Sequence, residues 1–151
     1  MRRKRQRGNT ILEAAILTPV IVMLLVGMTQ IAQITWLYYT LRKTVYSVGT
    51  YLSTQQGANF CDAGDPAITA AIDFGVSNSS VANLTDSMIS VTAESYDTTN
   101  QTLSPLAGCS APDFIVVGIP NGYLVQPAIP FFSVIDAIPL KPQVVLPYGG
   151  T

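Results

Sequence analysis

Residues 2–13 read Arg-Arg-Lys-Arg-Gln-Arg-Gly-Asn-Thr-Ile-Leu-Glu, and they lead directly into an apolar run over residues 14–28. Between this basic cluster and Arg42, Glu13 is the only charged side chain. A helix needs about 20 apolar residues to cross a bilayer, and this segment is long enough. Because loops rich in Lys and Arg stay in the cytoplasm, the pattern predicts one membrane-spanning helix with its N-terminus inside and the chain after Trp36 outside.

The composition limits both the size of the fold and the classes of function. The 151 residues allow one membrane segment and one small domain. Five of the eight basic residues fall in the first seven positions, so the basic cluster belongs to membrane topology. No basic and aromatic pattern recurs downstream to bind nucleic acid. The sequence has no histidine, which removes Ser/His and Cys/His nucleophile pairs and the commonest zinc ligand. We therefore expect no catalytic residues, no cofactor, no metal and no nucleic-acid partner.

Two simpler interpretations of the apolar segment stay open. A cleaved secretory signal peptide would need a pair of small residues after its apolar core, and residues 27–33 contain no such pair. An uncut single-pass anchor also fits, since a transmembrane helix does not require Gly8.

Glu13 discriminates between a cut and an uncut chain. A carboxylate deep in a transmembrane helix costs up to about 3 kcal/mol, and such residues usually have a partner. No basic residue lies within one helical turn of Glu13. If residues 1–8 were removed, the new amino group of Asn9 would lie four residues upstream, about 6 Å along the helix axis.

The residues around Gly8 resemble a known class of precursor. A basic leader ends in Gly8, Glu13 stands fifth after it, and residues 11–19 read Ile-Leu-Glu-Ala-Ala-Ile-Leu-Thr-Pro. This arrangement resembles type IV prepilins, and more closely the TadE-like minor pseudopilins of tight-adherence (Flp) pilus systems. The resemblance implies that a prepilin peptidase cuts between Gly8 and Asn9. The polar Asn9 and Thr10 depart from the small apolar residues that many relatives have there.

The same resemblance implies a location, a role and partners. The protein would stand in the bacterial inner membrane, in contact with membrane lipid, and would help to prime or cap a filament. Its partners would be other pilins and pseudopilins and the proteins of the pilus assembly platform. A fibre subunit is an alternative, although Flp-type major pilins resemble a bare helix. An uncut membrane protein that binds envelope partners through its outer domain is the other alternative.

The helical pattern continues beyond the length that a bilayer requires. Apolar side chains recur at alternating three and four residues over three heptads, and they are Ile31, Ile34, Tyr38, Leu41, Val45, Val48 and Leu52. A helix from Asn9 to about Ser53 would be roughly 65 to 70 Å long. This stripe can pack on the protein's own head or on helices of other subunits, and both arrangements can hold along different lengths.

The remaining residues predict a small head outside the membrane. Its only cysteines, Cys61 and Cys109, would most simply form one disulfide in an oxidising compartment, and two unpaired thiols are the alternative. Closing that loop would contribute on the order of 4 kcal/mol. Asp65 and Pro66 predict the cap and first turn of a short helix that ends at Gly75.

Alternating and compact apolar runs predict about three antiparallel strands in meander order. The first run is residues 88–96 and the last is residues 138–147. The middle run is residues 114–119, and it is predicted to resume at residues 123–125 after a turn at Asn121-Gly122. Residues 97–104 and 126–139 are predicted as loops. The expected fold class is α+β: a long N-terminal transmembrane and stalk helix packed on a small head with a short helix and the sheet. The predicted divisions are a leader over 1–8, the helix over 9–55 and the head over 56–151.

Three tripeptides in the head match the Asn-x-Ser/Thr glycosylation sequon. They begin at Asn78, Asn83 and Asn100. Polar loops produce this pattern by chance, so the sequence alone gives it little weight.

Overall fold

A computed structural model describes residues 3–62, 64–106, 111–125 and 137–149, with side chains from residue 11 onward. The chain divides into two compact units, Met1–Trp36 and Leu37–Thr151, and the first helix contributes residues to both. The described residues form two α-helices, one 3₁₀ turn and six strands. The predicted α+β class with a long N-terminal helix is therefore confirmed.

Helix α1 covers Arg3–Ser53 and has one proline in its interior, Pro19. Several threonines in its apolar part donate their hydroxyls to backbone carbonyls three or four residues earlier, namely Thr18, Thr29 and Thr35. These bonds satisfy polar groups within the helix itself. The helix ends at Ser53, where the helical pattern predicts its end, two residues before the predicted division at residue 55. Gly57, with φ +78°, lies in the turn beyond the helix and is not its C-terminal cap.

Helix α2, Pro66–Ser77, begins as the sequence predicts. The carboxylate of Asp65 accepts hydrogen bonds from the backbone N–H groups of Ala67 and Ile68, at 2.8 and 3.4 Å. It thereby satisfies two donors that have no partner inside the helix. The predicted end at Gly75 is wrong, because the helix continues to Ser77 and Gly75 is buried within it.

The main sheet has four antiparallel strands in the order β2-β1-β3-β6. These strands are β1 (Ser90–Asp97), β2 (Thr102–Pro105), β3 (Phe114–Gly118) and β6 (Gln143–Pro147). Strand β1 pairs Val91 with Val117, and β3 pairs Val117 with Val144. Since alternate residues point to opposite faces of a sheet, these valines share one face. A second sheet contains only β4 (Tyr123–Val125) and β5 (Ile138–Leu140).

The first three of the four residues of strand β2 were predicted to be part of a loop over residues 97–104. A tight turn joins it to β1, in which the carboxylate of Asp97 accepts the N–H of Thr99 at 2.8 Å and the amide of Asn100 at 2.7 Å. The hydrogen bond from the Thr99 N–H, followed by those from Asn100, lowers the pKa of Asp97 from its ordinary value. The turn brings residues 102–105 alongside β1. Strand β1 then supplies the backbone hydrogen-bond partners with which these residues form β2.

The last predicted strand, residues 138–147, is divided into β5 and β6. Pro142 stands between them and has no N–H to donate to a ladder. Its carbonyl instead accepts the N–H of Ile119 at 3.2 Å. Strand β4 pairs with β5 in a separate sheet and does not resume β3 after the turn, whereas β1, β3 and β6 are neighbours in the predicted meander order. Of the predicted crossover over 126–139, residues 126–136 lie outside the described residues.

The core of the head forms where α1 meets α2 and the main sheet. Its fully buried or nearly buried apolar side chains come from each element, and they include Leu41, Val45, Val48, Leu52, Ile68, Ala71, Ile115, Val117 and Ile119. Two glycines allow the close contacts. A Cβ on Gly75 would overlap Val48, and a Cβ on Gly49 would lie 2.5 Å from Leu146 Cδ1.

Residues late in the chain close the end of α1. The hydroxyl of Tyr148 donates to the carbonyl of Gln55 at 2.7 Å, and the N–H of Gly149 donates to the carbonyl of Ser53 at 3.2 Å. The ring of Tyr148 also packs edge-on against Phe60, with centroids 5.2 Å apart. Ser53 is the last residue of α1, so the bond from Gly149 satisfies a carbonyl that the helix leaves open, while Tyr148 binds the turn that follows the helix.

Candidate assembly surface on the N-terminal helix

The first part of α1 presents an apolar surface with no cover among the described residues. Every side chain from Ile11 to Leu25 is exposed, and many large aliphatic ones expose more than half of their area. Leaving one Leu or Ile in water costs roughly 1.5 to 3 kcal/mol relative to burying it. Among the described helices, this one is long and apolar enough to cross a membrane.

Glu13 is the single charged residue on this surface. Its side chain is exposed, and it stands between Leu12 and Ala14 near the start of the apolar segment. Side chains on a helix pair with residues three or four positions away. The nearest basic residues in the sequence are Arg7, six positions before it, and Arg42, far beyond that range.

The predicted cleavage position lies within the same helix. Gly8 and Asn9 both belong to α1, which begins at Arg3. Along a helix, residue 9 stands four positions before Glu13, one turn away.

The heptad stripe on α1 falls into two parts with different surroundings. Its later members are fully buried in the head, namely Leu41, Val45, Val48 and Leu52. Its earlier members are more open: Ile31 is 67% exposed, Tyr38 is 40% exposed and Ile34 is half-buried. Among the described residues, the members of the stripe from Leu41 onward are buried in the head.

The buried part of the stripe is fixed to the head by polar contacts as well as by packing. The hydroxyl oxygen of Thr44, which is buried, lies 3.1 Å from Ser79 Oγ and 3.1 Å from the carbonyl oxygen of Thr40, and its single proton is shared between these two acceptors. Tyr51 stacks on Phe74 of α2, with ring centroids 5.0 Å apart. The last turns of α1 are thus an integral part of the head.

The predicted disulfide joins one described residue, Cys61, to one residue outside the described ranges, Cys109. Cys61 is in the exposed loop that follows α1, where its N–H donates to the side chain of Asn59 at 3.0 Å. Cys109 lies outside the described residues, and the bridge stays a prediction.

A shallow cleft on the main sheet is a feature that the sequence did not predict. It has a volume of about 350 Å³ and includes Ser90, Thr92, Lys141 and Gln143 in its lining. By the strand register it lies on the face away from α1, because Val117, which faces Gly49, alternates with Val116 in the cleft. Lys141 is the only basic residue after Lys43 in the sequence. No sequence motif marks this cleft, because its lining comes from three separate strands, β1, β3 and β6, and from the residues next to β3 and β6.

The described residues offer no arrangement of side chains typical of a metal site. Within them, no three His, Cys, Asp or Glu side chains come together. Asp65, one of the carboxylates near Cys61, is used as the cap of α2.

Comparison of the chain with models of known protein families, with curated proteins and with solved structures found no match.

Proposed function

We propose that the protein is a minor pseudopilin of a Tad-type pilus, cut between Gly8 and Asn9 and then used to prime or cap a filament. The observation that carries this proposal is Glu13, an exposed carboxylate on an otherwise apolar helical surface, with no basic residue within one turn. A cut after Gly8 creates a positive amino group one helical turn upstream of Glu13. The proposed processing thereby supplies the missing partner.

The energetics favour a role for this charge. An unpaired carboxylate in the apolar part of a bilayer costs up to about 3 kcal/mol. An amino group about 6 Å away along the helix offsets part of that cost. The amino group of a neighbouring subunit can do the same when two helices pack side by side, and pairing of this kind would set their relative positions.

The divided stripe supports the idea that α1 has two kinds of partner. The head occupies the face of α1 at Leu41, Val45, Val48 and Leu52. The side chains of Ile31 and Tyr38 are more exposed and suit contact with lipid or with helices of other subunits.

The proposed topology places the basic leader in the cytoplasm and the head outside it. The protein would then be a single-pass protein of the bacterial inner membrane before assembly. Its partners would be the prepilin peptidase, other pilins and pseudopilins, and the assembly platform. In the oxidising compartment outside, Cys61 and Cys109 would be joined as a disulfide.

Mass spectrometry of the chain extracted from its native membranes tests the proposal. We expect an N-terminus at Asn9 in cells that contain the peptidase and an intact leader in cells that lack it. Gly8→Leu is the matched variant, and it should keep its leader in both. An intact leader on the unmodified chain, in cells with active peptidase, would refute the proposed processing. Alkylation before and after reduction, read in the same spectra, would show whether the two cysteines are bridged.

One observation favours a second function, that of an uncut membrane protein that binds partners through its head. The face of the main sheet that points away from α1 carries partly exposed apolar side chains, among them Tyr96, Leu103 and Val145, each 42 to 43% exposed. A protein with an intact leader and normal membrane insertion would favour this function.

A further inference from the structure

The three sequons of the head differ sharply in the surroundings of their asparagine side chains. A transferase that adds a glycan needs the asparagine amide free, and it also reads the hydroxyl two residues later. The sequence presents Asn78, Asn83 and Asn100 as equivalent candidates. The structure separates them.

Asn78 and Asn100 both use their amide groups inside the fold. Asn78 follows α2, and its Nδ2 donates to the carbonyl of Phe74 at 2.7 Å. The Nδ2 of Asn100 donates to the carboxylate of Asp97 at 2.7 Å, in the turn between β1 and β2. Modification of either amide would have to break a contact that holds the end of a helix or a turn.

Asn83 has the opposite properties. Its side chain is exposed and makes no hydrogen bond among the described residues. Its φ of +58° places it in the left-handed region, which asparagine tolerates better than most residues, so the backbone turns sharply at this position.

The residues around Asn83 hold this turn in place. Val81 and Leu84 are buried, and the carbonyl of Ala82 accepts the hydroxyl of Tyr123 at 2.6 Å. Thr85, the hydroxyl residue of the sequon, is exposed, and its Oγ1 is 3.0 Å from Ser87 Oγ. A firmly anchored loop thus presents a free amide and an accessible hydroxyl residue together on the surface.

We propose that Asn83 is an N-glycosylation site and that Asn78 and Asn100 are not. This inference rests on the proposed function in one respect, namely that the head lies outside the cytoplasm. The donor would be an oligosaccharide joined to a lipid carrier through a phosphate or diphosphate, and a membrane-bound transferase would catalyse the reaction. Nδ2 of Asn83 forms a bond to the anomeric carbon, the bond between that carbon and the phosphate oxygen breaks, the lipid phosphate leaves, and Nδ2 gives up one proton. No electrons are exchanged with an oxidant or reductant.

Glycopeptide mass spectrometry of the full chain from its native membranes tests this site. We expect an added oligosaccharide mass on the peptide that contains Asn83, and unmodified Asn78 and Asn100. Thr85→Val should abolish the added mass although Asn83 itself is unchanged, whereas Thr85→Ser, which keeps the hydroxyl, should retain it. Asn78→Gln and Asn100→Gln should also retain it. An unmodified Asn83 in the native chain, or an added mass that persists in Thr85→Val, would overturn the proposal.

The same spectra keep this inference separate from the proposed function. A chain that begins at Asn9 and has an unmodified Asn83 rejects only the glycosylation site. A chain that keeps its leader and has a glycan on Asn83 supports the site while rejecting the processing. Protease treatment of spheroplasts reports independently whether the head is outside the cytoplasm.

Discussion

Gly75→Ala is expected to destabilise the head, although alanine is the better helix former. Gly75 is buried where α2 meets α1, and a Cβ at this position would overlap Val48 Cγ2 and lie 3.5 Å from the carbonyl oxygen of Thr44. Valine is restricted about χ1 and the carbonyl belongs to the helix backbone, so neither neighbour can move away easily. The helices would have to separate.

The expected loss follows from two opposing effects. Overpacking of a closed core costs about 1 to 3 kcal/mol. Replacing glycine with alanine inside a helix returns about 1 kcal/mol. The net loss is therefore about 1 kcal/mol in the free energy of unfolding. With a denaturant slope near 1 to 2 kcal/mol per M of urea, the midpoint should fall by roughly 0.5 to 1 M.

Val48→Ala provides the second half of a double-mutant cycle. It removes two methyl groups from a fully buried side chain, which costs about 1.6 kcal/mol at 0.8 kcal/mol each, before any cost of the cavity. In the Val48→Ala variant, the side chain that a Cβ on residue 75 would overlap is gone. Because alanine favours a helix more than glycine does, the double variant should be at least as stable as Val48→Ala alone. Gly27→Ala is the matched control, since nothing lies within 4 Å of its added Cβ.

Pulse proteolysis in urea of the detergent-solubilised full chain measures these midpoints. The reasoning fails if Gly75→Ala is as stable as the unmodified protein. It also fails if Gly75→Ala lowers the urea midpoint by the same amount in the unmodified protein and in the Val48→Ala variant.

Three further predictions concern individual carboxylates. Glu13→Gln should leave membrane insertion unchanged and abolish pilus assembly, as measured by alkaline extraction of membranes and by recovery of sheared pili; normal piliation would remove the proposed role of this charge. Asp65→Ala should lower the free energy of unfolding by about 1 kcal/mol because α2 loses its cap. Asp65→Asn is the control, since it keeps a capping oxygen. Equal urea midpoints for the two variants would count against capping. The lowered pKa of Asp97 means that its contribution to stability is present above its unfolded-state pKa and is lost as the pH falls through the lower folded-state value. An NMR titration of this carboxyl group should therefore give a midpoint below that of an unfolded peptide, and an equal or higher midpoint would contradict the hydrogen-bonded turn.

The helices were predictable because their signals are local. An aspartate followed by proline predicts the start of α2. The aspartate, Asp65, caps the helix, because its carboxylate accepts the N–H groups of Ala67 and Ile68. The continuous helical pattern likewise gave the end of α1 at about Ser53. The end of α2 was misjudged, because Gly75 serves close packing against another helix and does not mark a terminus. A glycine read without its neighbours cannot distinguish these two uses.

The strands were harder to predict because pairing decides them. Residues 102–105 carry little strand signal of their own and become β2 only because the turn at Asp97 places them beside β1. The division of residues 138–147 at Pro142 follows from a contact with Ile119, which is distant in sequence. The alternation in β1 was clear, since the apolar Val91 and Ala93 alternate with polar residues along one strand.

The candidate surface shows the same division between local and distant information. Glu13 and the apolar run could be identified from the sequence, because each is recognised by the residues next to it along the chain. The point at which the stripe becomes buried, near Leu41, depends on where the head packs. The differences among the three sequons depend on contacts such as the one between Asn78 and Phe74, and a motif search cannot detect them.

The contacts that close the end of α1 have a consequence for the order of biogenesis. Tyr148 lies 93 positions beyond Gln55, whose carbonyl it binds, so on the proposed topology the helix is exported long before the residues that cap it. Until Tyr148 and Gly149 emerge, the carbonyls of Gln55 and Ser53 lack these partners and Phe60 lacks its aromatic neighbour. Closing so long a loop is also entropically unfavourable until the strands between have paired. The head would therefore mature only after Tyr148 and Gly149 have crossed the membrane, and a chain interrupted before Tyr148 would display an unfinished helix end to the proteases that clear defective membrane proteins.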